Sequence, residues 1–390
     1  MRILHIGPVK MNDGATGLTQ SIRGFALSQA EIGLEVGLLS SLPVSQGVSK
    51  KQWSGVCMLS GLRKRHRNPW FISRDWISRI RKEFGTPDIV HFHSTYVPFN
   101  IALARRCGRA GWPYIITAHG GMRKVAQSIR KTKKTVANIL FFRSYIKHAE
   151  AIHALCYKEA EEIRSRFSVE RMFIVCNGVD ERLFNIEEKL KPAKLGSFSN
   201  KTDLMLGFVG RVDVYVKGFD LLFKALSELK SRSNSFSCRL FVVGPFHTKK
   251  DEQRFNSTVE SCGLNDVVKY LGPKYDDDKW RHFLACDVFV HTSRTEGIPM
   301  AVMEAMSLGC PCLVTPQTNM ADVVREGGGW VTEPNPESIA ETIESIYEKK
   351  DLLKVLGQRS RELMRARFTW RQIAEQLAQE YVKISQRTVK

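Results

Sequence analysis

Two glutamates lie eight residues apart in a segment that reads TEGIPMAVMEAM, from Thr295 to Met306. Pro299 favours a helix that starts beside it, because the first helical position does not need an N–H donor. Glu296 would then lie in the loop before the helix and Glu304 inside it. Carboxylates placed in this way can accept hydrogen bonds from the hydroxyl groups of a ligand. A solvated acidic helix start is the alternative for this pair taken alone.

The start of the predicted helix offers a second kind of contact. Helix N-termini have backbone N–H groups without intrahelical acceptors, and the helix dipole adds partial positive charge there. Both features suit a phosphate group. The available amides belong to Ile298, Met300 and Ala301. The glutamates and the amides together predict a site for a diphosphate with hydroxyl groups beside it.

Two cations follow a predicted strand earlier in the chain. The sequence LGFVGR, from Leu206 to Arg211, indicates a strand and a turn, and Lys217 precedes an amphipathic helix. Arginine can bind phosphate oxygens through two N–H groups, and lysine acts as a compact charge. Two solvated cations would explain this pair equally well on their own. The combination of cations, amides and carboxylates on neighbouring loops favours an anionic ligand that bears hydroxyl groups.

The elements that position these residues alternate between short apolar runs and amphipathic stretches. Such runs, most of them followed closely by Gly, Pro, Asn or Ser, are typical of strands buried on both faces of a parallel sheet. Ligands of these sheets bind outside the carboxyl ends of the strands. The predicted strands are Arg2–Gly7, Glu35–Ser40, Asp88–His93, Tyr114–Ala118, Ala151–Ala154, Met172–Cys176, Leu204–Gly210, Cys238–Gly244, Val267–Leu271, Asp287–His291 and Pro311–Thr315.

The chain has 390 residues, enough for two α/β domains. We predict an N-terminal domain over residues 1–182 and a C-terminal domain over residues 183–369, with the polar stretch Ile186–Thr202 as the natural linker. Residues 370–390 contain apolar side chains at helical spacing. We expect this last helix to pack back on the N-terminal domain.

The net charge of +19 is unevenly distributed. Residues 1–200 have 32 lysines and arginines against 15 acidic residues, whereas residues 201–390 have 27 against 25. A field of one sign over one half of the chain indicates an anionic partner: a phosphorylated substrate, an anionic membrane surface or a nucleic acid.

Cysteine usage and hydropathy indicate the compartment. The nine cysteines are scattered, with no C-x-x-C pair, which favours buried thiols in a reducing environment over a disulfide framework or a zinc site. No apolar run approaches the length of a membrane span, and the N-terminus does not resemble a signal peptide. We therefore expect a cytoplasmic protein.

Taken together, these motifs resemble the retaining glycosyltransferases of family 4, over essentially the whole chain and in order. The resemblance implies the GT-B fold, with two Rossmann-like parallel-sheet α/β domains facing across a cleft. Within the family, the first half is similar to enzymes of bacterial exopolysaccharide, capsule or lipopolysaccharide synthesis. The matching segments are Glu296 with Glu304, Gly210-Arg211, Lys217-Gly218, Val243-Gly244-Pro245, Leu271-Gly272-Pro273, Val175–Asp180, Gly14–Gly17 and Thr117–Gly121.

The resemblance also implies a role for individual residues. Arg211 and Lys217 would stabilise the leaving diphosphate, so no cofactor and no essential metal are expected. Glu296 would bind hydroxyl groups of the transferred sugar, which His119 would also contact, and Glu304 would bind the ribose. Further donor contacts are expected from Gly14, Gly17, Gly297, Ile298 and Met300. The donor would be a UDP-, GDP- or ADP-linked sugar, and the acceptor a saccharide.

A basic stretch, Arg123–Lys134, leads into the apolar residues Ile139–Phe142. A solvated helix face is one interpretation of this pattern. The other is a surface that docks on anionic lipid headgroups, where the acceptor would be linked to a polyprenyl lipid. The protein would then be peripheral on the inner face of the plasma membrane.

Other functions remain open at this point. The acceptor could be a soluble small molecule, or the protein could be another nucleotide-sugar enzyme such as an epimerase. The basic charge also suggests a nucleic-acid-binding protein, but no aromatic-interleaved basic motif or known binding module supports specific recognition. A catalytically inactive relative would not need the cations and glutamates described above.

Three further patterns have simpler explanations. Asp276-Asp277-Asp278 is similar to a metal-binding D-x-D motif, but it precedes apolar residues at helical spacing, which favours an acidic helix start. His91 and His93 lie on one face of a strand, as zinc ligands do, but no third ligand is evident, which favours a pair that lines a cleft. Cys310 and Cys312 are expected to be buried thiols.

Overall fold

The computed structural model describes residues 1–9, 17–42, 54–59, 72, 75–122, 141–198, 203–232 and 237–388. The chain divides into two compact units. The first unit contains Met1–Gly178 and Trp370–Lys390, and the second contains Val179–Thr369. The division falls slightly before the predicted boundary. The described part of the predicted linker, residues 186–198, lies inside the second unit.

The first unit is built on a parallel sheet whose described strands have the order β3-β2-β1-β4-β5-β6-β7. Its central strands are buried almost throughout, as their apolar sequences predict. The strands are β1 Arg2–Gly7, β2 Glu35–Ser40, β3 Val56–Met58, β4 Ile89–His93, β5 Tyr114–Thr117, β6 Ala151–Ala154 and β7 Met172–Ile174. The helices are α1 Gly17–Glu31, α2 Trp76–Glu83, α3 Pro98–Arg109, α4 Arg143–Lys147 and α5 Tyr157–Arg164.

The second unit repeats the pattern with a parallel sheet of order β10-β9-β8-β11-β12-β13 among its described strands. The strands are β8 Leu204–Val209, β9 Cys238–Val243, β10 Val268–Tyr270, β11 Val288–His291, β12 Cys312–Val314 and β13 Trp330–Val331. The α-helices are α6 Phe219–Arg232, α7 Lys249–Ser261, α8 Asp276–Leu284, α9 Met300–Ser307, α10 Ala321–Glu326, α11 Pro336–Glu348 and α12 Leu353–Arg367. Short 3₁₀ helices occupy Glu181–Glu188, Gly196–Phe198, Pro316–Thr318 and Lys350–Leu352.

Both sheets have the doubly wound order of a Rossmann-like fold, which confirms the predicted fold class of two Rossmann-like parallel-sheet domains. In each sheet the chain starts near the middle, extends to one edge and then returns to continue on the other side. The strand order therefore reverses between β1 and β4 in the first unit and between β8 and β11 in the second. Ligands of open α/β sheets bind at the carboxyl ends of the strands beside such a reversal.

The last helix, α13 (Trp370–Thr388), belongs to the first unit and packs on α1. The indole of Trp370 lies against Gly24, where an added Cβ would meet ring atoms at 2.0 Å, and edge-on to Phe25. The apolar residues that the sequence places at helical spacing are all buried: Ile373, Ala374, Leu377, Tyr381 and Ile384. In the described part of the chain, no helix is long and apolar enough to cross a membrane.

Candidate active site

The loops that follow β8 and β11 bring together the residues that the sequence predicts in the second unit. Lys217 lies in the loop between β8 and α6, and Glu296 lies in the loop between β11 and α9. The Nζ atom of Lys217 donates a hydrogen bond to Oε1 of Glu296, and the two side chains are mostly buried. The same Oε1 accepts from Ser293 Oγ at 3.0 Å and lies 3.0 Å from His291 Nε2. Glu296 is therefore held in one orientation by three partners.

The charge state of Glu296 follows from these partners. Burial alone raises the pKa of the carboxyl group, but the Lys217 ammonium and the hydrogen bond from His291 outweigh it and hold the pKa well below its ordinary value. Burial lowers the pKa of His291, and the nearby Lys217 lowers it further, against the opposing effect of Glu296. At neutral pH the site thus contains an ionised carboxylate beside a neutral imidazole.

Arg211 differs from Lys217 in its surroundings. It follows β8 directly, beside Gly210, and its side chain is exposed. Among the described residues, no hydrogen-bond or ion-pair partner of its guanidinium is found. The predicted cation pair is therefore asymmetric, because Lys217 is already paired with a carboxylate and Arg211 retains its full charge for a ligand.

Helix α9 begins at Met300, with Pro299 at the capping position, one residue before the first helical turn. The first intrahelical bonds within this turn are donated by Val302 and Met303 to the carbonyl of Pro299. The amides of Met300 and Ala301 precede these donors and have no acceptor within the helix. The carbonyls of Glu296 and Gly297 both accept from the Asn319 side chain, at 2.8 and 3.0 Å. This side chain fixes the loop that leads into the helix.

Glu304 lies on α9, and its carboxylate is buried. Oε2 of Glu304 forms an ion pair of 2.7 Å with Nζ of Lys279 on α8. The Lys279 ammonium also lies 4.3 Å from the ring centroid of Trp280. No local sequence pattern predicts this pair. Any hydroxyl group that binds Glu304 must share the carboxylate with Lys279.

Two glycines allow the loops of this site to approach closely. Gly218 has a φ of +70°, and a Cβ there would lie 2.1 Å from the carbonyl oxygen of Thr292, in the loop after β11. Gly244 has a φ of +140°, and a Cβ there would lie 1.8 Å from the carbonyl oxygen of Gly210. Only glycine can occupy both positions without moving the neighbouring backbone.

In the first unit, His119 follows β5 in a tight turn and has a φ of +48°. The next residue, Gly120, donates its amide to Oε1 of Glu159 at 2.6 Å, and the other oxygen of Glu159 accepts from the Leu155 amide at 2.8 Å. This buried carboxylate anchors the turn. Burial lowers the pKa of His119 to about 3, so its imidazole is neutral at pH 7. Of the N-terminal glycines, Gly17 begins α1 and Gly14 lies outside the described residues.

The prediction that His91 and His93 line a cleft is wrong. Both rings are completely buried, and the fold brings a third histidine, His5 of β1, beside them because β1 pairs with β4. One ligand atom from each ring lies within 4.8 Å of the others. Every ring nitrogen of these three residues already makes a hydrogen bond within the protein. The cluster therefore fits a hydrogen-bonded network better than a metal centre.

The aspartate triplet and the cysteine pair, for which the sequence favoured simple structural explanations, have the predicted structure. Asp276, Asp277 and Asp278 form the first turn of α8, which confirms an acidic helix start. Cys310 and Cys312 are buried, as expected. The basic stretch Arg123–Lys134 lies outside the described residues.

Sequence reasoning missed several residues that complete the site. They are Lys279, His291, Ser293 and Asn319. The spacing Ser293-x-x-Glu296 was the available signal, since the two residues of an S-x-x-E capping box lie close enough for each side chain to bond the other's backbone. The contacts of Asn319 and Lys279 join segments far apart in the sequence, and no local pattern marks them.

Comparison with known proteins agrees with the fold. The family model described as "Glycosyl transferases group 1" matches residues 192–363, and the one described as "Glycosyltransferase Family 4" matches residues 16–183. The chain belongs to the family 4 glycosyltransferases, which are enzymes of the GT-B fold.

Individual relatives show how far the likeness extends. A D-inositol 3-phosphate glycosyltransferase of Paenarthrobacter aurescens is 24% identical over 91% of this chain and 90% of its own length. A putative colanic acid biosynthesis glycosyltransferase, WcaL of Salmonella typhimurium, is 30% identical over 42% of this chain and 41% of its own. The structure of HepE from Anabaena in complex with UDP-glucose superposes with a TM-score of 0.72 at 17% identity, covering 98% of this chain and all of that one.

Proposed function

We propose that this glycosyltransferase moves a sugar from a nucleotide diphosphate donor to a saccharide acceptor, with retention of the anomeric configuration. We further propose that the acceptor is lipid-linked and that the product is a bacterial surface polysaccharide: exopolysaccharide, capsule or lipopolysaccharide. The observation that supports the donor most directly is the arrangement at the ends of β8 and β11. There Arg211, which has no partner among the described residues, lies near Lys217 and the first amides of α9 in the sequence of loops that also contains the mostly buried Glu296. The buried carboxylate of Glu304 follows on α9.

The chemistry assigned to this arrangement is the departure of a nucleoside diphosphate. As the bond between the sugar and the diphosphate breaks, negative charge develops on the leaving oxygen. Arg211 and the two remaining N–H groups of the Lys217 ammonium can stabilise that charge, which removes the need for a divalent cation. Preorganised donors of this kind typically accelerate a reaction by about 10²–10³-fold each. The amides of Met300 and Ala301, with the loop residues Gly297 and Ile298, would hold the second phosphate.

The two glutamates would orient the donor. Glu296 is ionised and held in place by Lys217, His291 and Ser293, so it can accept hydrogen bonds from sugar hydroxyl groups without reorganising. Glu304 would accept from the ribose hydroxyl groups while its ion pair with Lys279 holds the carboxylate in position. His119 in the first unit, with Gly14 and Gly17, is assigned to the donor by the family resemblance.

The membrane-bound acceptor is supported by the charge of the first half of the chain and by a relative named for colanic acid biosynthesis. Each lysine or arginine near an anionic membrane surface contributes about 1 kcal/mol. We expect binding to vesicles that increases with the fraction of anionic lipid and is lost at high salt. Vesicle binding that ignores salt, or no binding, would contradict this part of the proposal.

A soluble acceptor is the second candidate. The relative that matches 91% of this chain is named for transfer to D-inositol 3-phosphate, a small phosphorylated molecule. The basic first half would then attract the acceptor itself. Transfer to a soluble phosphorylated acceptor by a protein that does not bind vesicles would favour this candidate.

The donor assignment can be tested by thermal unfolding with a panel of UDP-, GDP- and ADP-sugars. A ligand present at 100 times its dissociation constant stabilises the folded state by about 2.7 kcal/mol. We expect one nucleotide series to raise the unfolding temperature of the wild-type protein and to lose this effect in Arg211→Ala. The control is Arg254→Ala, which removes an exposed arginine from α7 of the same unit. Stabilisation that survives in Arg211→Ala would contradict the assigned phosphate contact.

A further inference from the structure

A continuous chain of hydrogen bonds runs through the core of the first unit and ends at His119. Its members come from four neighbouring strands, from α1 and from the last helix, and most of them are completely buried. In order from the opposite end, they are the Val175 carbonyl, His153, Thr117, His91, Tyr381, Gln29, His5, His93 and His119.

The direction of every bond follows from the Val175 carbonyl, which can only accept. His153 must therefore donate from Nε2, over 2.7 Å, and a neutral ring then has an unprotonated Nδ1. This Nδ1 accepts from the Thr117 hydroxyl at 2.7 Å. Since Thr117 has one proton and uses it there, its oxygen must accept from His91 Nε2, 2.5 Å away.

The same reasoning passes through the last helix. With a proton on Nε2, the neutral ring of His91 must accept at Nδ1, and the partner there is the Tyr381 hydroxyl at 2.7 Å. Tyr381 donates its single hydroxyl proton in this bond, so its oxygen accepts from the amide nitrogen of Gln29 at 3.2 Å. The amide oxygen of Gln29 consequently faces His5 and accepts from its Nε2 at 2.9 Å.

The remaining hydrogen bonds lead from His5 to His119. Because His5 is protonated on Nε2, its Nδ1 accepts from His93 Nε2 at 2.9 Å. His93 in turn accepts at Nδ1 from His119 Nε2 at 3.0 Å. The Nδ1 atom of His119 is left as an acceptor, and among the described residues it has no hydrogen-bond partner.

The reasoning requires that the four internal histidines be neutral, and their surroundings ensure this. Burial lowers the pKa of His5 and of His153 to about 4. Burial, with repulsion from neighbouring imidazoles, holds the pKa values of His91 and His93 well below the ordinary value. Phe25 and Phe173 pack on the rings of this group and exclude water.

We infer that this series of hydrogen bonds, all donated in the same direction, fixes His119 as the tautomer protonated on Nε2. Tyr381 of the last helix is then a positioning residue for His119. Under the proposed function, on which this role in catalysis rests, Nδ1 of His119 then accepts a hydrogen bond from a sugar hydroxyl group. It cannot donate one in the resting protein. Tyr381 is the decisive link, because without its hydroxyl the Gln29 amide can turn over and reverse every bond from His5 to His119.

The test is the ¹⁵N spectrum of the full-length protein labelled at histidine, since the shift of each ring nitrogen reports whether it is protonated. His119 is assigned by the signals that disappear in His119→Asn. At pH 7 we expect a single neutral tautomer with the proton on Nε2. In Tyr381→Phe we expect both neutral tautomers. The control Tyr114→Phe removes another buried hydroxyl of the same unit. This hydroxyl donates to the Tyr145 carbonyl and takes no part in the series of hydrogen bonds that ends at His119. The tautomer of His119 should therefore stay the same in this variant.

A second pair of variants does not depend on the folding of Tyr381→Phe. Thr117→Val keeps the shape of the side chain but removes the hydroxyl group and so interrupts the series of hydrogen bonds. Thr117→Ser keeps the hydroxyl group. We expect mixed tautomers of His119 in the first and the wild-type tautomer in the second. A proton on Nδ1 of wild-type His119, or an unchanged tautomer in the interrupting variants, would overturn the inference. The spectra need no donor, so a confirmed tautomer in a protein without transferase activity would leave the inference standing and refute only the proposed function.

Discussion

Lys217 and Glu296 form an ion pair before any ligand binds. A diphosphate therefore meets a lysine that is already paired with a carboxylate. Each member of a buried ion pair depends on the other, because an isolated charge in such surroundings is strongly destabilised. Removal of the lysine therefore affects two functions at once: the contact with the leaving group and the ionisation of Glu296.

We predict that Lys217→Met raises the pKa of Glu296 toward or above its ordinary range and lowers turnover by about 10²–10³-fold, the typical effect of one electrostatic donor. The pKa follows from the pH dependence of donor binding, and turnover from release of nucleoside diphosphate. The matched control is Lys224→Met, on an exposed position of α6. Unchanged turnover in Lys217→Met would show that the lysine is structural.

The buried histidines predict how stability responds to acid. In the unfolded chain they titrate near pH 6.5, whereas burial lowers the pKa values of His5 and His153 to about 4 in the folded state. Between these values the unfolded chain binds protons that the folded chain does not, so stability is complete above about pH 6.5 and falls as the pH decreases. Each such histidine contributes up to about 1.4 kcal/mol per pH unit in this window.

The measurement is the free energy of unfolding in urea at pH 7 and pH 5, a range above the titration of ordinary carboxylates. We expect a loss of several kcal/mol at pH 5. As a control, His247→Asn, which replaces an exposed histidine, should leave the pH dependence unchanged. Equal stability at the two pH values would mean that the histidine cluster is not neutral in the folded protein.

At the level of strands and loops, the site depends on close approach of backbones that only glycine permits. The Gly218 turn touches the loop after β11, and this contact sets the distance between Lys217 and Glu296. A methyl group at position 218 has no space, because the Thr292 carbonyl is backbone and cannot rotate away.

We expect Gly218→Ala to destabilise the second unit by about 2–4 kcal/mol, from a left-handed φ and from overpacking together. Gly263→Ala is the matched control, because Gly263 has a similar φ of +65° but nothing within 4 Å of an added Cβ. It should cost only about 1 kcal/mol. Equal losses in urea unfolding would contradict the close contact.

Much of this architecture could be predicted from the sequence. Each predicted strand overlaps an observed one, because strands buried on both faces of a parallel sheet have short, continuous apolar sequences. The strands β3 and β13 were not predicted, and the two residues of β13 are too few to show a pattern. Lys217, Glu296 and Arg211 could be identified from local motifs. His5, Lys279 and Tyr381 could not, since their partners come together only when distant segments fold.

For the molecule as a whole, the last helix links the end of the chain to the beginning. It packs on α1 and places Tyr381 among residues from the first half of the sequence. The stability of the first unit therefore depends on residues that follow the second unit in the chain.

We predict that Leu377→Ala, at a completely buried position of α13, destabilises the first unit by about 2–5 kcal/mol. Hydrogen exchange of β1 and β4 would report the loss. Val382→Ala on the exposed side of the same helix should change stability by less than about 0.5 kcal/mol. If both variants exchange at the wild-type rate, the helix is not part of the folded first unit.

The central claim is that the protein transfers sugar from a nucleotide diphosphate through Arg211 and Lys217, without a divalent cation. The most direct test is release of nucleoside diphosphate by the purified protein from a panel of nucleotide sugars, with lipid extracts and small phosphorylated molecules as acceptors, and with a chelator present. We predict release from one nucleotide series that persists in the chelator and falls at least about 100-fold in Lys217→Met. Release that stops in the chelator and returns with a divalent cation would contradict the claim.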